Sequence, residues 1–310
     1  MRAVVFAYSS VGDRCLRVLS ARGVDVSLVI THRDRPEEHL WYARVSETAA
    51  ELGLRCRYAD DCSPGELKSA VAAARPDVIF SFYYRALLGD ELLAMARLGA
   101  FNMHGSLLPR YRGRAPTNWA VLHGESETGA TLHHMVARAD AGDIVDSCRV
   151  PILPDDTARQ VFDKVTVAAE IVLWRTLPAI AAGTAPRRVN DPANGSYFGV
   201  RTPEDGRIDW QRSASEIYNL IRAVAPPYPG AFTEVAGVRL VVADARLSVF
   251  PASCLAPDAR PGLAVIDGRV VGICGDGRRI EVRSLLAESK PVGPDLLADL
   301  VARARRGQST

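Results

Sequence analysis

Short apolar runs alternate with amphipathic stretches through the first half of the chain. Residues 3–7 (Ala-Val-Val-Phe-Ala) are unbroken apolar positions and predict a buried strand, while 11–21 places its apolar positions at helical spacing. A second strand is predicted at 24–31, a second helix at 37–52, a third strand at 77–82, a helix at 88–96 and a short strand at 100–103. This alternation is the rhythm of an open, Rossmann-like parallel sheet flanked by helices. Ligands of such sheets gather beyond the carboxyl ends of the strands, and His32, Tyr83 and His104 stand just past predicted strand ends.

Residues 131–136 and 144–152 alternate as strands around the turn Ala139-Asp140-Ala141-Gly142. A long helix is predicted at 157–182, with Asp155-Asp156 as its acidic start. Gly183, Pro186, Pro192, Gly195, Pro203 and Gly206 then break the pattern, and the helix at 213–224 opens on Ser213 with Glu216 three residues on. After Pro226-Pro227-Tyr228-Pro229-Gly230 come short β-rich runs at 232–235, 239–242, 263–266, 270–274 and 280–285, then a final helix at 296–306. Five short strands punctuated by glycine suggest a small barrel of the OB-like kind. The expected organisation is therefore an α/β domain over 1–188, a linker at 189–206 and a C-terminal β-barrel domain over 207–310.

Composition narrows the function. Hydrophobic residues make up 48% and charged residues 24% of 310, which fits a folded globular protein and excludes a disordered or coiled-coil chain. The net charge of 38 − 36 = +2 points to no dedicated nucleic-acid binder. The most apolar long stretch, 165–183, is interrupted by Glu170, Arg175 and Pro178, so no membrane insertion is expected. The N-terminal apolar run is too short for a signal-peptide core. Six cysteines (15, 56, 62, 148, 254 and 274) lack any Cys-x-x-Cys pairing, which fits a reducing cytoplasm and no zinc ribbon. The first turn, Tyr8-Ser9-Ser10-Val11-Gly12, has one glycine where a dinucleotide-binding turn needs several.

The densest polar cluster is Phe101-Asn102-Met103-His104-Gly105-Ser106. Asn102 and His104 alternate on a strand, so their side chains share a face. Histidine suits proton transfer near neutral pH, and an amide N–H suits a developing oxyanion. The pair is compatible with acyl transfer. An isolated Asn-x-His is better explained by a satisfied core histidine beside a turn-forming Asn.

Beyond it runs Leu107-Leu108-Pro109-Arg110-Tyr111-Arg112-Gly113-Arg114-Ala115-Pro116. With Asn102 and His104 this string resembles the folate-dependent formyltransferase family, which includes methionyl-tRNA and sugar-amine formyltransferases. The resemblance implies 10-formyltetrahydrofolate as formyl donor and a catalytic Asp in a turn, matched by Asp140 in Arg138-Ala139-Asp140-Ala141-Gly142. A carboxylate beside a histidine stabilises the imidazolium. Further strings, among them Phe82-Tyr83-Tyr84-Arg85, Thr131-Leu132-His133, Phe198-Gly199 and Arg201-Thr202-Pro203, are similar to the formylating domain of the bifunctional enzymes of lipid A aminoarabinose modification. This chain is similar to the formylating half alone, over nearly its whole length.

That resemblance implies an N-formyltransferase acting on a UDP-linked amino sugar, UDP-4-amino-4-deoxy-L-arabinose. Its catalytic residues are Asn102, His104 and Asp140. Folate contacts fall on Ala86, Leu87 and Leu88, on Arg114, and on Val136, Ala137, Arg138, Ala139 and Asp140. Arg201 and Tyr228 are candidates for the sugar nucleotide, through diphosphate pairing and packing on uracil. No metal is expected, because His133 and His134 are adjacent on a strand and point to opposite faces.

Two other readings remain at this stage. A methionyl-tRNA formyltransferase needs a basic surface, yet residues 204–310 hold 14 Lys and Arg against 13 Asp and Glu, 14 − 13 = +1, and the loop 32–38 has no lysine run. A non-catalytic folate-sensing scaffold has no need of Asn102, His104 and Asp140 together.

Overall fold

The computed structural model describes residues 1–35, 40–247 and 260–307. The start of the expected second helix, the end of the charged loop at 36–38, and Cys254 lie outside them. The chain forms two compact units. The first takes Met1–Thr117, Glu127–Pro151 and Phe162–Gly199; the second takes Asn118–Ser126, Ile152–Val161 and Val200–Thr310.

The first unit is built on a seven-stranded sheet. Its strands are β1 (Arg2–Ala7), β2 (Asp25–Thr31), β3 (Cys56–Tyr58), β4 (Val78–Phe82), β5 (Ala100–His104), and further on β7 (Glu127–His134) and β8 (Ile144–Pro151); the intervening β6 (Arg112–Gly113) lies outside this sheet. The order is β3-β2-β1-β4-β5-β7-β8. β1 and β4 are buried on both faces, which explains why they read as continuous apolar runs. The five strands from β3 to β5 pair in parallel, as the βαβ rhythm requires. β7 and β8 extend the sheet antiparallel. The short strand β6 pairs with β9 (Tyr197–Phe198).

The helices are α1 (Ser9–Ala21), α2 (Val45–Glu51), α3 (Pro64–Ala74), α4 (Asp90–Leu93), α5 (Pro116–Leu122) and α6 (Ala158–Ala181). Along α6 the buried positions Val165, Ala168, Ala169, Val172, Leu173, Thr176, Leu177 and Ile180 recur every three or four residues, one face of a 3.6-residue repeat. Among the described residues, no helix is long and apolar enough to cross a membrane.

Two expectations are corrected here, and two elements are added. Among the described residues of the helix expected at 37–52, helix is formed at Val45–Glu51, because residues 41–42 before it serve tertiary contacts. The Trp41 ring packs edge-on to Phe162 at 5.3 Å, and the Tyr42 hydroxyl lies 2.7 Å from that of Tyr8. The helix expected at 88–96 shrinks to one turn at Asp90–Leu93, since Leu88 is buried in the core beneath β1 and β2. The strand β3 and helix α3 between them were not anticipated, although Ser63 and Glu66 form a full capping box around Pro64.

The second unit carries α7 (Ala214–Val224), then β10 (Ala231–Val235), β11 (Val238–Leu247), β12 (Gly262–Ile266), β13 (Arg269–Ile273), β14 (Arg279–Ala287), β15 (Lys290–Pro291) and α8 (Pro294–Gly307). Among the described residues the antiparallel order is β10-β11-β14-β13-β12, with β10 and β12 at its two ends, so the expected barrel is seen as a half-barrel. Ser213 caps α7 as its sequence predicts: Ser213 Oγ accepts from Glu216 N, and Glu216 Oε2 accepts from Ser213 N at 3.1 Å. Ser213→Ala is expected to cost about 1 kcal/mol and to lower the thermal midpoint of this unit by roughly 2–5 °C. Differential scanning calorimetry with an unmoved midpoint would show the cap to be dispensable.

Candidate active site

The strand β5 ends where the polar cluster begins. Its register sets Asn102 beside Ser81 of β4 on one side and His133 of β7 on the other. Asn102 and His104 share a face, and both reach the carboxylate of Asp140. Asn102 Nδ2 donates to Asp140 Oδ1 at 3.4 Å, and His104 Nδ1 lies 3.5 Å from the same oxygen. Asp140 Oδ2 accepts from the Gly113 backbone N–H at 3.0 Å. The chain thus brings together three side chains that lie 38 positions apart at the extremes.

The turn that presents Asp140 is held by its backbone. Asp140 sits at φ +50°, a left-handed conformation that Asp tolerates better than most residues. Asn190 Nδ2 donates to the carbonyls of both Asp140 and Gly142, at 2.9 and 3.0 Å. A side chain at Gly142 would run into the His134 carbonyl at 1.9 Å. On the other side, the loop after β5 is pinned by Thr131 Oγ1, which donates to Ser106 O at 2.6 Å and accepts from Leu108 N at 3.2 Å. Gly105 is required by close approach, since a Cβ there would lie 1.8 Å from the Tyr83 hydroxyl oxygen.

Electrostatically the centre is one carboxylate among donors. Burial by itself would raise the pKa of Asp140. The charge of His104, the hydrogen bond and charge of His133, and the Gly113 N–H outweigh that and hold the carboxyl well below the ordinary aspartate range. Asp140 is therefore ionised. His104 is buried, with Nε2 at 2.8 Å from the Tyr111 carbonyl oxygen. Its ring lies between two oxygens, the Tyr111 carbonyl and, 3.5 Å from Nδ1, the Asp140 carboxylate.

His133 is the residue that sequence reasoning missed. It is 2% exposed, and its Nδ1 lies 2.9 Å from the His134 carbonyl, which places the proton on Nδ1. Nε2 lies 3.1 Å from Asn102 Nδ2 and 3.5 Å from Asp140 Oδ1. His133 thus flanks both the Asn102 amide and the Asp140 carboxylate. His134, pointing the other way as expected, approaches the Pro186 carbonyl at 3.1 Å and packs on Phe101.

The remaining candidates are distributed as follows. Leu87 is 77% exposed and Val136 48% exposed, two apolar side chains presented to solvent at the tips of their loops, whereas the Leu88 side chain belongs to the core and offers a ligand only its backbone. Ala86, Ala137 and Arg138 are exposed and Ala139 half-buried. Arg114 Nη2 donates to Arg85 O at 2.8 Å, tying the segment that leads into Ala86–Leu88 to the loop beyond Gly113. His32 stacks on Tyr84 at 4.3 Å and faces Asp60 at 3.5 Å. It lines a separate cavity of about 430 Å³ with Tyr8, Tyr42 and Tyr58. Arg201 and Tyr228 belong to the second unit. Among the described residues no group of His, Cys, Asp and Glu is arranged to hold a metal ion.

The formyl transferase family matches residues 1–177, and the formyl transferase C-terminal domain matches residues 201–297. The fold is similar to that of the N-formyltransferase from Helicobacter canadensis in complex with folinic acid and dTDP-3-aminofucose, with TM-score 0.70 and 19% identity, covering 90% of this chain and 98% of that one. It is also similar to WlaRD, a sugar 3N-formyl transferase crystallised with dTDP and 5-N-formyl-THF, with TM-score 0.70 and 17% identity over 94% of this chain and 98% of that one. A sugar N-formyltransferase from Shewanella sp. FDAARGOS_354 aligns with TM-score 0.62 and 16% identity over 78% of this chain and 96% of that one. A family match over more than half the length, spanning Asn102, His104 and Asp140, means that the chain belongs to the formyl transferase family.

Proposed function

We propose that the protein transfers a formyl group from 10-formyltetrahydrofolate to the 4-amine of a UDP-linked amino sugar, UDP-4-amino-4-deoxy-L-arabinose, in the cytoplasm as a step of lipid A modification. The observation that carries the reaction is the shared carboxylate of Asp140, with His104 and Asn102 converging on it. The full-length likeness to nucleotide-sugar N-formyltransferases supports the substrate class. The strings quoted from 82–85, 131–133 and 198–203 support the particular sugar.

The residues present fit a folate. Leu87 and Val136 offer apolar faces to a flat ring, and the backbone of Ala86, Leu88 and Ala137–Asp140 offers hydrogen-bonding groups. Arg114 is assigned to the donor's polar end. When bound, the folate supplies an activated one-carbon unit on N10.

Transfer makes a bond from the sugar nitrogen to the formyl carbon and breaks the bond from that carbon to N10. One proton leaves the amine and one arrives on N10, and His104 moves it. Asp140 stabilises the charged ring while it holds that proton. Asn102 donates to the formyl oxygen as negative charge develops, giving up its long 3.4 Å bond to Asp140 while His133 stays beside the amide. Arg201 is assigned to the diphosphate and Tyr228 to the base.

The test is formyl-folate turnover with UDP-4-amino-4-deoxy-L-arabinose, with a dTDP-linked amino sugar, and with charged initiator tRNA. Formylation of the UDP sugar, with tRNA bound weakly and without preference for the initiator, is the expected result. Turnover of the dTDP sugar alone would move the assignment to another nucleotide. Tight tRNA binding with a steep salt dependence would replace a sugar by RNA.

A further inference from the structure

The stretch 186–198 of the first unit holds little more regular structure than a 3₁₀ turn at Pro192–Asn194 and the strand β9. It is nevertheless fastened to both sides of the catalytic centre. Its first part closes on the turn that presents Asp140. Ile144 N donates to Arg188 O at 2.7 Å and Arg188 N to Ile144 O at 2.9 Å, which ties the stretch to β8. Two residues on, Asn190 is buried, and its NH2 serves the carbonyls of Asp140 and Gly142. Its Oδ1 is buried with no hydrogen-bond partner. An amide buried half-satisfied is a poor source of stability, so what distinguishes this position is the grip of its NH2 on the turn.

The last part closes on the loop after β5. Ser196 meets that loop three times: its Oγ accepts from Tyr111 N at 2.8 Å, its carbonyl accepts from Arg112 N at 3.0 Å, and its N–H donates to Pro109 O at 3.3 Å. β9 then pairs with β6, and the Phe198 ring stacks on that of Tyr111 at 5.3 Å. Between the two ends, Pro192 O accepts from Arg112 Nη2 at 3.2 Å. The residue gripped in this way is Tyr111, at φ +57°, a left-handed backbone that a bulky side chain seldom adopts. Such a conformation persists only where its surroundings over-determine it, and Ser196 and Phe198 are those surroundings. The carbonyl that it aims is the one 2.8 Å from His104 Nε2.

We propose that Asn190 and Ser196 are positioning residues for formyl transfer, by which one segment sets both neighbours of the His104 ring. Asn190 sets Asp140 on the Nδ1 side, and Ser196 sets the Tyr111 carbonyl on the Nε2 side. Among the described residues neither side chain hydrogen-bonds to His104, so each acts through the backbone it holds. The proposal rests on the roles assigned above to His104 and Asp140. Group transfer tolerates little error in such a frame: a misplacement of about 1 Å can cost on the order of 10²-fold. Side chains are held to that precision only where the shell behind them is fixed.

The experiment compares the full chain with S196A, S196T and N190A. Each is assayed beside H104A for formyl transfer from 10-formyltetrahydrofolate to the amino-sugar nucleotide that the wild-type chain turns over. Each is also followed by NMR at the imidazole C–H signals of His104, assigned with H104A, an arm that needs no substrate. S196A and N190A are expected to lower kcat roughly tenfold to a hundredfold with KM little changed, and to shift the His104 signals. S196T keeps the hydroxyl and should recover most of the loss. Ser196 is half-buried, so S196A carries the test where N190A does not fold. Wild-type kcat with unmoved His104 signals in S196A would overturn the proposal whatever the thermal midpoint, and would leave Ser196 a structural contact. His104 signals displaced as far in S196T as in S196A would also overturn it, because the hydroxyl would not be what holds the loop. Turnover lost in H104A but kept in S196A and N190A sinks the positioning role and leaves the proposed function standing. Wild-type turnover in H104A sinks that reading instead, and the His104 signals still decide whether the segment sets the ring.

Discussion

His104→Ala is expected to lower formyl transfer by about 10²–10⁴-fold, the usual contribution of a general acid–base group, while folate affinity changes by no more than severalfold. The ring lies between two oxygens, Tyr111 O at 2.8 Å and Asp140 Oδ1 at 3.5 Å, and it is the group proposed to carry the amine proton to N10. His104→Gln separates chemistry from packing. It keeps a neutral donor for the Tyr111 carbonyl but cannot take up and release a proton near neutral pH, so its turnover should fall as far as that of the alanine variant. Steady-state kinetics with direct folate binding decide the matter. Turnover within twofold of wild type in a folded variant would remove His104 from the reaction.

Asp140→Asn should be nearly as damaging, for a different reason. The carboxylate only accepts: Oδ2 takes the Gly113 N–H, and Oδ1 takes Asn102 and faces both histidines. An amide must put NH2 at one of these positions. At Oδ2 it would meet the Gly113 N–H donor to donor. At Oδ1 it would oppose the Asn102 amide and donate to His104 Nδ1, fixing that ring in its neutral form. Either way, the stabilisation of a charged His104 is lost, and a fall in kcat of at least about 10²-fold is expected. Asn is the informative replacement because it tolerates the left-handed backbone at φ +50°.

The same variant has a signature in stability. Asp140 is held below the ordinary aspartate pKa in the folded chain, so its contribution is present above the unfolded aspartate pKa and disappears as pH falls through the depressed folded value. The amide of the Asp140→Asn variant does not titrate and has no such dependence. The gap in stability between the two proteins should therefore narrow as the solution is acidified below pH ~4. Unfolding curves separated by a constant gap down to the acid limit, together with turnover within threefold of wild type, would return Asp140 to the role of a turn residue.

What was legible in the sequence was whatever a local rule encodes. Continuous apolar runs marked β1 and β4 because both faces are covered, and Ser213 with Glu216 marked the start of α7 because the capping box is closed within four residues. Asn102 and His104 could be placed on one face by strand alternation alone. His133 could not be joined to them, because the pairing depends on β7 running antiparallel to β5 in one register, a fact carried by neither strand by itself. The helix expected at 37–52 failed where Trp41 and Tyr42 are drawn to aromatic partners distant in sequence. Leu88 was assigned to the folate by the family resemblance, and a resemblance does not say that its side chain turns into the core. Arg201 could be singled out as a cation, but its contacts with Trp119 and the Asp205 carbonyl arise only in the folded unit.

The alternation of segments between the two compact units bears on how this chain can be recombined with its relatives. The polypeptide passes from one unit to the other after residues 117, 126, 151, 161 and 199. An exchange at residue 200 therefore leaves two pieces of the second unit, 118–126 and 152–161, with the other parent. Among them is Trp119, the ring on which Arg201 lies. A faithful graft of the second unit has to carry three segments of chain, so in this architecture a single crossover makes a mosaic within a unit and not a swap of whole parts.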